Sequence, residues 1–163
     1  MICDNIRSLE NIGSIFRTSD ALGVTKIFLC GISGKPPIGK TFENFVKEGI
    51  AKTALGAQKN IPFEYYKSTT GLLRRLRAPR NDEKRNGKIR IIALEQDKKS
   101  ILYTKFKLKF PLALIVGNEV KGISKKVLAK CDKIIELPMA GKKESLNVSV
   151  SFGIAGYELN KYR

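Results

Sequence analysis

Ile135-Glu136-Leu137-Pro138-Met139-Ala140-Gly141-Lys142-Lys143-Glu144-Ser145-Leu146-Asn147-Val148-Ser149-Val150 is the stretch on which the fold turns. An apolar strand runs into Pro138 and Gly141, and Ser145 and Asn147 then stand where a helix must begin. Side-chain oxygens and free backbone N–H groups therefore converge at one strand-to-helix corner, a setting suited to a small polar ligand. Read alone, the same residues are equally a helix cap after an ordinary loop.

Upstream of that corner, Leu112-Ala113-Leu114-Ile115-Val116 and Ile91-Ile92-Ala93-Leu94-Glu95 read as buried strands, and Ile27-Phe28-Leu29-Cys30 is another, closed by Gly31. Residues 63–66 form a short aromatic strand after Pro62, residues 1–3 a very short first strand, and residues 134–137 the strand of the corner itself. Between them the period changes. Ile12, Ile15, Phe16, Ser19 and Leu22 recur at helical intervals and predict a helix over residues 11–22, capped by Asn11 and stopped by Gly23. Further helices are expected over residues 43–51, 70–76, 124–130 and 147–162, with a turn at Leu55-Gly56-Ala57 and loop over residues 31–40. Apolar strands separated by helices imply the α/β class, a mostly parallel sheet with helices on both faces. No repeat or boundary interrupts the 163 residues, so a single domain over residues 1–163 is expected.

The composition narrows the chemistry. With no His, the imidazole base, the usual catalytic triads and most transition-metal sites fall away, and no metal is expected. Cys3, Cys30 and Cys131 are odd in number and far apart, which fits neither a disulfide framework nor paired zinc ligands. At 42% apolar and 28% charged residues the chain is globular. It has no apolar run approaching the roughly 20 residues of a membrane span and no secretory signal at its start, so a cytoplasmic location is expected. Against 15 Asp and Glu stand 31 Lys and Arg, a formal charge of +16 that points to a polyanion. Nucleic acid comes first and an anionic membrane surface second, because no long basic amphipathic helix is present. A general Lys bias is the bland explanation of the same excess. The cations concentrate at Arg74, Arg75, Arg77, Arg80, Lys84, Arg85, Lys88 and Arg90, around an exposed polar segment.

Gly34-Lys35-Pro36-Pro37-Ile38-Gly39-Lys40-Thr41 fits the phosphate-loop pattern G-x-x-x-x-G-K-[ST], which would mean nucleotide triphosphate hydrolysis. Its context argues otherwise. The strand ends at Cys30, well before Gly34, and Pro36 and Pro37 remove two backbone donors from a loop whose purpose is to surround phosphate with N–H groups.

Two more constellations complete the picture. Asn11, Gly13 and Arg17 lie in the first turns of the first helix, where Gly13 permits close approach of another segment and Arg17 is at minimum a surface partner for Glu10 or Asp20. Gly117-Asn118-Glu119 follows a buried strand, and its Gly lets a flat ligand approach the backbone at the carboxyl end of the sheet, where open α/β sheets bind ligands.

Together the three segments resemble, in order, the motifs of the SpoU-type (TrmH-like) RNA ribose 2′-O-methyltransferases of the knotted α/β class. The first reads through Asn11, Gly13, Arg17, Thr18 and Asp20, and the second through Gly117, Glu119, Gly122 and Ser124. The third reads through Pro138, Met139, Gly141, Ser145, Leu146, Asn147, Val148 and Ser149. The resemblance implies a C-terminal trefoil knot, an exception to the rule against threaded chains, and S-adenosyl-L-methionine held in it. It implies cofactor contacts from Leu94, Glu95, Gly117, Leu137, Met139, Ser145 and Leu146, and a catalytic group of Arg17 with Asn11, Glu119, Ser145 and Asn147. It further implies a homodimer through the last helix and an RNA substrate, transfer or ribosomal; Arg7 and Arg17, with Arg74, Arg75 and Arg77 of this chain's own basic segment, are the candidate contacts. The family often carries Ala where Ser19 stands, and many members have an added RNA-binding domain, which is not expected here. An arginine clamp on the phosphate beside the target ribose is physically simpler than an arginine base, because guanidinium stays protonated. A non-catalytic RNA-binding protein of this fold and a triphosphatase are the competing readings.

Overall fold

The computed structural model describes residues 1–34, 41–78, 87–106 and 110–163. The phosphate-loop residues 35–40 and the basic residues 79–86 lie outside the described residues. Seven strands form one sheet: β1 Ile2–Asp4, β2 Ile27–Cys30, β3 Phe63–Tyr66, β4 Arg90–Leu94, β5 Ile101–Leu102, β6 Leu112–Val116 and β7 Lys133–Glu136. Their order is β3-β2-β1-β6-β4-β7-β5, and every pairing is parallel. The helices are α1 Leu9–Ala21, α2 Phe42–Ala54, α3 Ala57–Asn60, α4 Thr69–Arg77, α5 Lys125–Leu128 and α6 Val148–Asn160.

A sheet that is apolar on both faces needs covering twice, and the period of two assigns alternate residues of β4 to two cores. Ile92 and Leu94 pack with Ile12, Ile15 and Phe16 of α1, Val46 and Ile50 of α2, and Phe152 and Leu159 of α6. Ile91 and Ala93 face the other way, toward Leu72 and Leu73 of α4 and Val127 of α5. Cys3 and Cys30 are divided between these cores as small apolar residues, and burial pushes both thiols up to about 12.

Helix α1 begins earlier than its apolar spacing indicated. Ser8 rather than Asn11 is the cap, its hydroxyl accepting from the Asn11 N–H at 3.1 Å. This releases the Asn11 side chain for longer-range work. Gly13 lies where α1 crosses α2: a Cβ there would overlap Thr53 Oγ1 and stand 2.9 Å from the Ile50 carbonyl oxygen. Close approach of another segment, expected at Gly13, is the observed role. Gly156 of α6 is its counterpart, since a Cβ would meet Leu22 at 2.6 Å. The short strand β5 and the single-turn helix α3 carried too few residues for a readable period.

Candidate active site

Strands β6, β4 and β7 are neighbours in the sheet, so the loops that leave their carboxyl ends meet although the sequence keeps them apart. They enclose a cavity of about 350 Å³. Leu94, Glu95, Gly117, Leu137, Met139, Ser145 and Leu146, all seven of the expected cofactor positions, line it together with Glu119. Gln96, Asn118, Glu136, Glu144, Val148 and Ser151 line it as well and were not anticipated. Among the described residues that line it, four are glutamates and none is Lys or Arg, in a chain of charge +16. The cavity is therefore an acidic, half-apolar recess in a basic protein.

Two of these acids also hold the walls. Glu95 Oε2 accepts from the Ile123 N–H at 2.6 Å, and Oε1 accepts from the Gln96 N–H at 3.0 Å. Gly122, with φ of 61°, leaves room for that carboxylate, where a Cβ would overlap Oε2. Gly117 serves its own loop: a Cβ would lie 2.6 Å from Gly122 and from Ile123. Room for the returning backbone is thus one reason for this glycine, which also lines the cavity.

Glu119 reaches the start of α1. Its carboxylate accepts from the Arg7 and Ser8 N–H groups, both at 3.1 Å, and from Asn11 Nδ2 at 3.0 Å. Burial alone would raise its pKa, but these hydrogen bonds outweigh it and hold the carboxyl below the ordinary glutamate value. Asn11 Oδ1 in turn accepts from Asn147 Nδ2 at 3.0 Å. Asn147 Oδ1 caps α6, accepting from the Ser149 N–H at 2.8 Å and the Val150 N–H at 3.4 Å. A carboxylate that only accepts stands at one end of this relay and backbone groups that only donate stand at the other, so both amides have a single consistent orientation. The relay joins three segments that lie 108 and 136 residues apart.

Ser145 lines the cavity, and its hydroxyl has no hydrogen bond to a described residue. Arg17 does not line it. That side chain is exposed on a second cleft, with Ser14, Thr18, Ala21, Lys52, Thr53 and Tyr157, and forms no ion pair with Glu10 or Asp20. Of the other candidate RNA contacts, Arg7 and Arg74 are exposed, while Arg75 lies over the Tyr66 ring at 5.8 Å. Arg77 is already engaged: its Nη2 donates to Asp132 Oδ1 at 2.9 Å and to the Lys130 carbonyl at 2.8 Å.

A family model described as SpoU rRNA Methylase matches residues 1–157. The chain belongs to the SpoU family. Among its SpoU relatives, the tRNA (guanosine(18)-2′-O)-methyltransferase of Aquifex aeolicus is 31% identical, over 100% of this chain and 69% of that protein. The 23S rRNA (guanosine-2′-O-)-methyltransferase RlmB of Haemophilus influenzae is 30% identical, over 100% of this chain and 59% of that protein. A TrmH-family protein of Bacillus subtilis is 34% identical, over 100% and 58% respectively. The chain thus spans 58% to 69% of the length of these curated relatives. Its backbone matches the A. aeolicus TrmH/SpoU tRNA modifying enzyme with a TM-score of 0.78 and 28% identity, over 99% of this chain and 73% of that one. It matches an AdoMet-bound rRNA methyltransferase from Sinorhizobium meliloti with a TM-score of 0.81 and 25% identity, over 99% and 55%.

Within the SpoU fold the missed cavity residues share one cause. Gln96, Glu136 and Glu144 sit in loops or at strand ends, where no periodicity marks them, and only the neighbouring order of β6, β4 and β7 brings them together.

Proposed function

We propose that this SpoU chain transfers the methyl group of S-adenosyl-L-methionine to a ribose 2′-hydroxyl of transfer or ribosomal RNA, in the cytoplasm. The observation that carries this reading is the acidic, half-apolar cavity where β6, β4 and β7 end. Its volume of about 350 Å³ falls in the range of small-molecule sites, roughly 300–1,000 Å³. Leu94, Val116, Leu137, Met139 and Leu146 offer apolar contact to a nucleoside, and Glu95, Glu119, Glu136 and Glu144 favour a cationic ligand. When bound, the cofactor supplies an electrophilic methyl on a sulfonium, so the chain need only align a weakly acidic hydroxyl beside it.

The residues divide that task. Glu119, Asn11 and Asn147 spend their hydrogen bonds fixing α1 and α6 around the cavity, and the depressed pKa of Glu119 makes it a poor proton acceptor. They are positioning residues. Ser145, with its hydroxyl free inside the cavity, is the neutral group available to ligand or ribose. Arg17, exposed and unengaged by described residues, is the phosphate clamp, with Arg7, Arg74 and Arg75 as further RNA contacts.

Two further elements of the reading concern assembly. Strand β7 lies between β4 and β5, which residues 95–100 connect, and Gln96 of that connection donates to the Glu144 carbonyl at 2.7 Å. This supports a threaded, knotted tail. Leu146, just before α6, and Val150, Ile154 and Tyr157 on it leave an exposed stripe, between 40% and 57% accessible. A second copy packed antiparallel on this stripe buries it. Val148 lines the acidic cavity and Tyr157 the Arg17 cleft, about 14 Å along the helix at 1.5 Å per residue. Antiparallel packing then sets the cavity of one protomer beside the Arg17 cleft of its partner, so the dimer unites donor and clamp.

The test is incubation with isotope-labelled S-adenosyl-L-methionine and total tRNA or rRNA, followed by nucleoside mass spectrometry, with calorimetry for the cofactor. Labelled 2′-O-methyl nucleosides from the wild type and none from Arg17→Ala, at unchanged cofactor affinity, are expected. Cofactor binding without transfer to either RNA would reduce the protein to a non-catalytic RNA binder; no binding at all sinks the reading.

A further inference from the structure

Among the cavities of the described residues, two are of opposite sign and share no lining residue. The second, about 570 Å³, opens between α1, α2 and α6. Arg17 and Lys52 give it two cations, Ser14, Thr18, Thr53 and Tyr157 give it four hydroxyls, and no carboxylate among the described residues lines it. The side chains of Ser14, Arg17, Thr18, Lys52 and Tyr157 have no hydrogen bond or ion pair to a described residue. Thr53 Oγ1 donates to the Ile50 carbonyl at 3.3 Å, which leaves its lone pairs free. These polar groups are brought together, and, Thr53 apart, no described residue engages them.

Their convergence has a specific cause in the sequence. Gly13 and Arg17 are four residues apart on α1 and share a face. Because Gly13 lacks a Cβ, α2 approaches α1 to backbone distance, with Thr53 against Gly13 and the Ile50 carbonyl close behind it. That crossing holds the last turn of α2 one helical turn from Arg17, which places Lys52 and Thr53 in the same cleft. Ser14, Thr18 and Ala21 follow at helical spacing and form the floor.

We propose that this cleft binds a phosphodiester of RNA, with Lys52 as a second cation beside Arg17 and the hydroxyls of Ser14, Thr18 and Tyr157 as neutral donors. The inference rests on the RNA reading above and extends its phosphate clamp from one residue to a built site. A guanidinium fork matches two non-bridging phosphate oxygens, an ammonium adds charge without fixed direction, and hydroxyls satisfy the remaining lone pairs. The absence of carboxylates from the wall removes the repulsion that excludes anions from the acidic cavity.

The experiment titrates fluorescent bulk tRNA with wild-type protein, Lys52→Gln and Lys52→Arg over a series of KCl concentrations, reading anisotropy. Calorimetry with S-adenosyl-L-methionine and thermal unfolding accompany each variant. Lys52→Gln is expected to weaken RNA binding several-fold at low salt and to flatten the slope of log K against log salt by about 0.7–0.9, the loss of one phosphate contact. Lys52→Arg restores both, and cofactor affinity and Tm stay constant. On the wild type, tRNA is expected to protect Lys52 from amine acylation. An unchanged slope for Lys52→Gln, or protection of Lys52 by inorganic phosphate but not by tRNA, overturns the proposal and leaves the RNA reading standing. Wild-type protein that binds neither bulk tRNA nor rRNA at any salt concentration removes both.

Discussion

Glu119→Gln separates a structural carboxylate from a catalytic one. The wild-type side chain accepts three hydrogen bonds, from the Arg7 and Ser8 N–H groups and from Asn11. Glutamine keeps one acceptor oxygen and turns an NH₂ toward at least one of those donors. Losing one or two partly exposed bonds at about 1 kcal/mol each, and about 0.5 kcal/mol of helix-dipole interaction at the start of α1, gives a deficit of about 2 kcal/mol at neutral pH. For a chain of 163 residues this is a fall in Tm of about 4–8 °C. The pH dependence has a definite sign. The native carboxyl lies below its ordinary value, so the unfolded chain binds the proton more readily and the stabilisation is complete above about pH 4.3. It is lost as pH falls through the lower native value. Urea unfolding of both proteins at pH 7 and near pH 3 should therefore show a gap that closes in acid. An equal gap at both pH values, or none at pH 7, refutes a charged anchor at α1.

Arg77→Ala should lower stability by about 1–2 kcal/mol through loss of the Asp132 and Lys130 contacts, measured by urea unfolding, and affect RNA affinity less than Arg74→Ala does. The reverse ranking in affinity would return Arg77 to the RNA contacts. Ser19 is fully buried in α1, and its Oγ lacks any described partner. Ser19→Ala should be neutral or stabilising by up to about 1 kcal/mol in thermal unfolding, because it removes an unpaired hydroxyl and adds helix propensity. A clear loss of Tm would reveal a partner for that hydroxyl.

The readable parts of the fold were those that bury two faces at once. Residues 91–94 and 112–116 are apolar throughout because both cores claim them, and that run alone identifies a parallel central strand. The Asn147 cap was legible for the same local reason: an Asx residue immediately before a helical period. Asn11 misled because it has the same chemistry, while the true cap, Ser8, lies one turn earlier and is completed by Glu119 from 111 residues away. The residues expected to hold a cofactor were named through family resemblance, and they line one cavity. Lys52 and Tyr157 were not, since their meeting with Arg17 depends on a helix crossing at Gly13 that no spacing within α2 or α6 encodes.

The strand order has a consequence for how the protein is made. β6 bridges β1 to β4, and β7 bridges β4 to β5, so the two strands synthesised last are interior ones. Until they emerge from the ribosome, the nascent chain holds β3-β2-β1 as one patch, with β4 and β5 as strands that have no paired neighbour. Losing β6 and β7 would therefore divide the sheet instead of trimming its rim, and the sheet closes only after residue 136 has emerged.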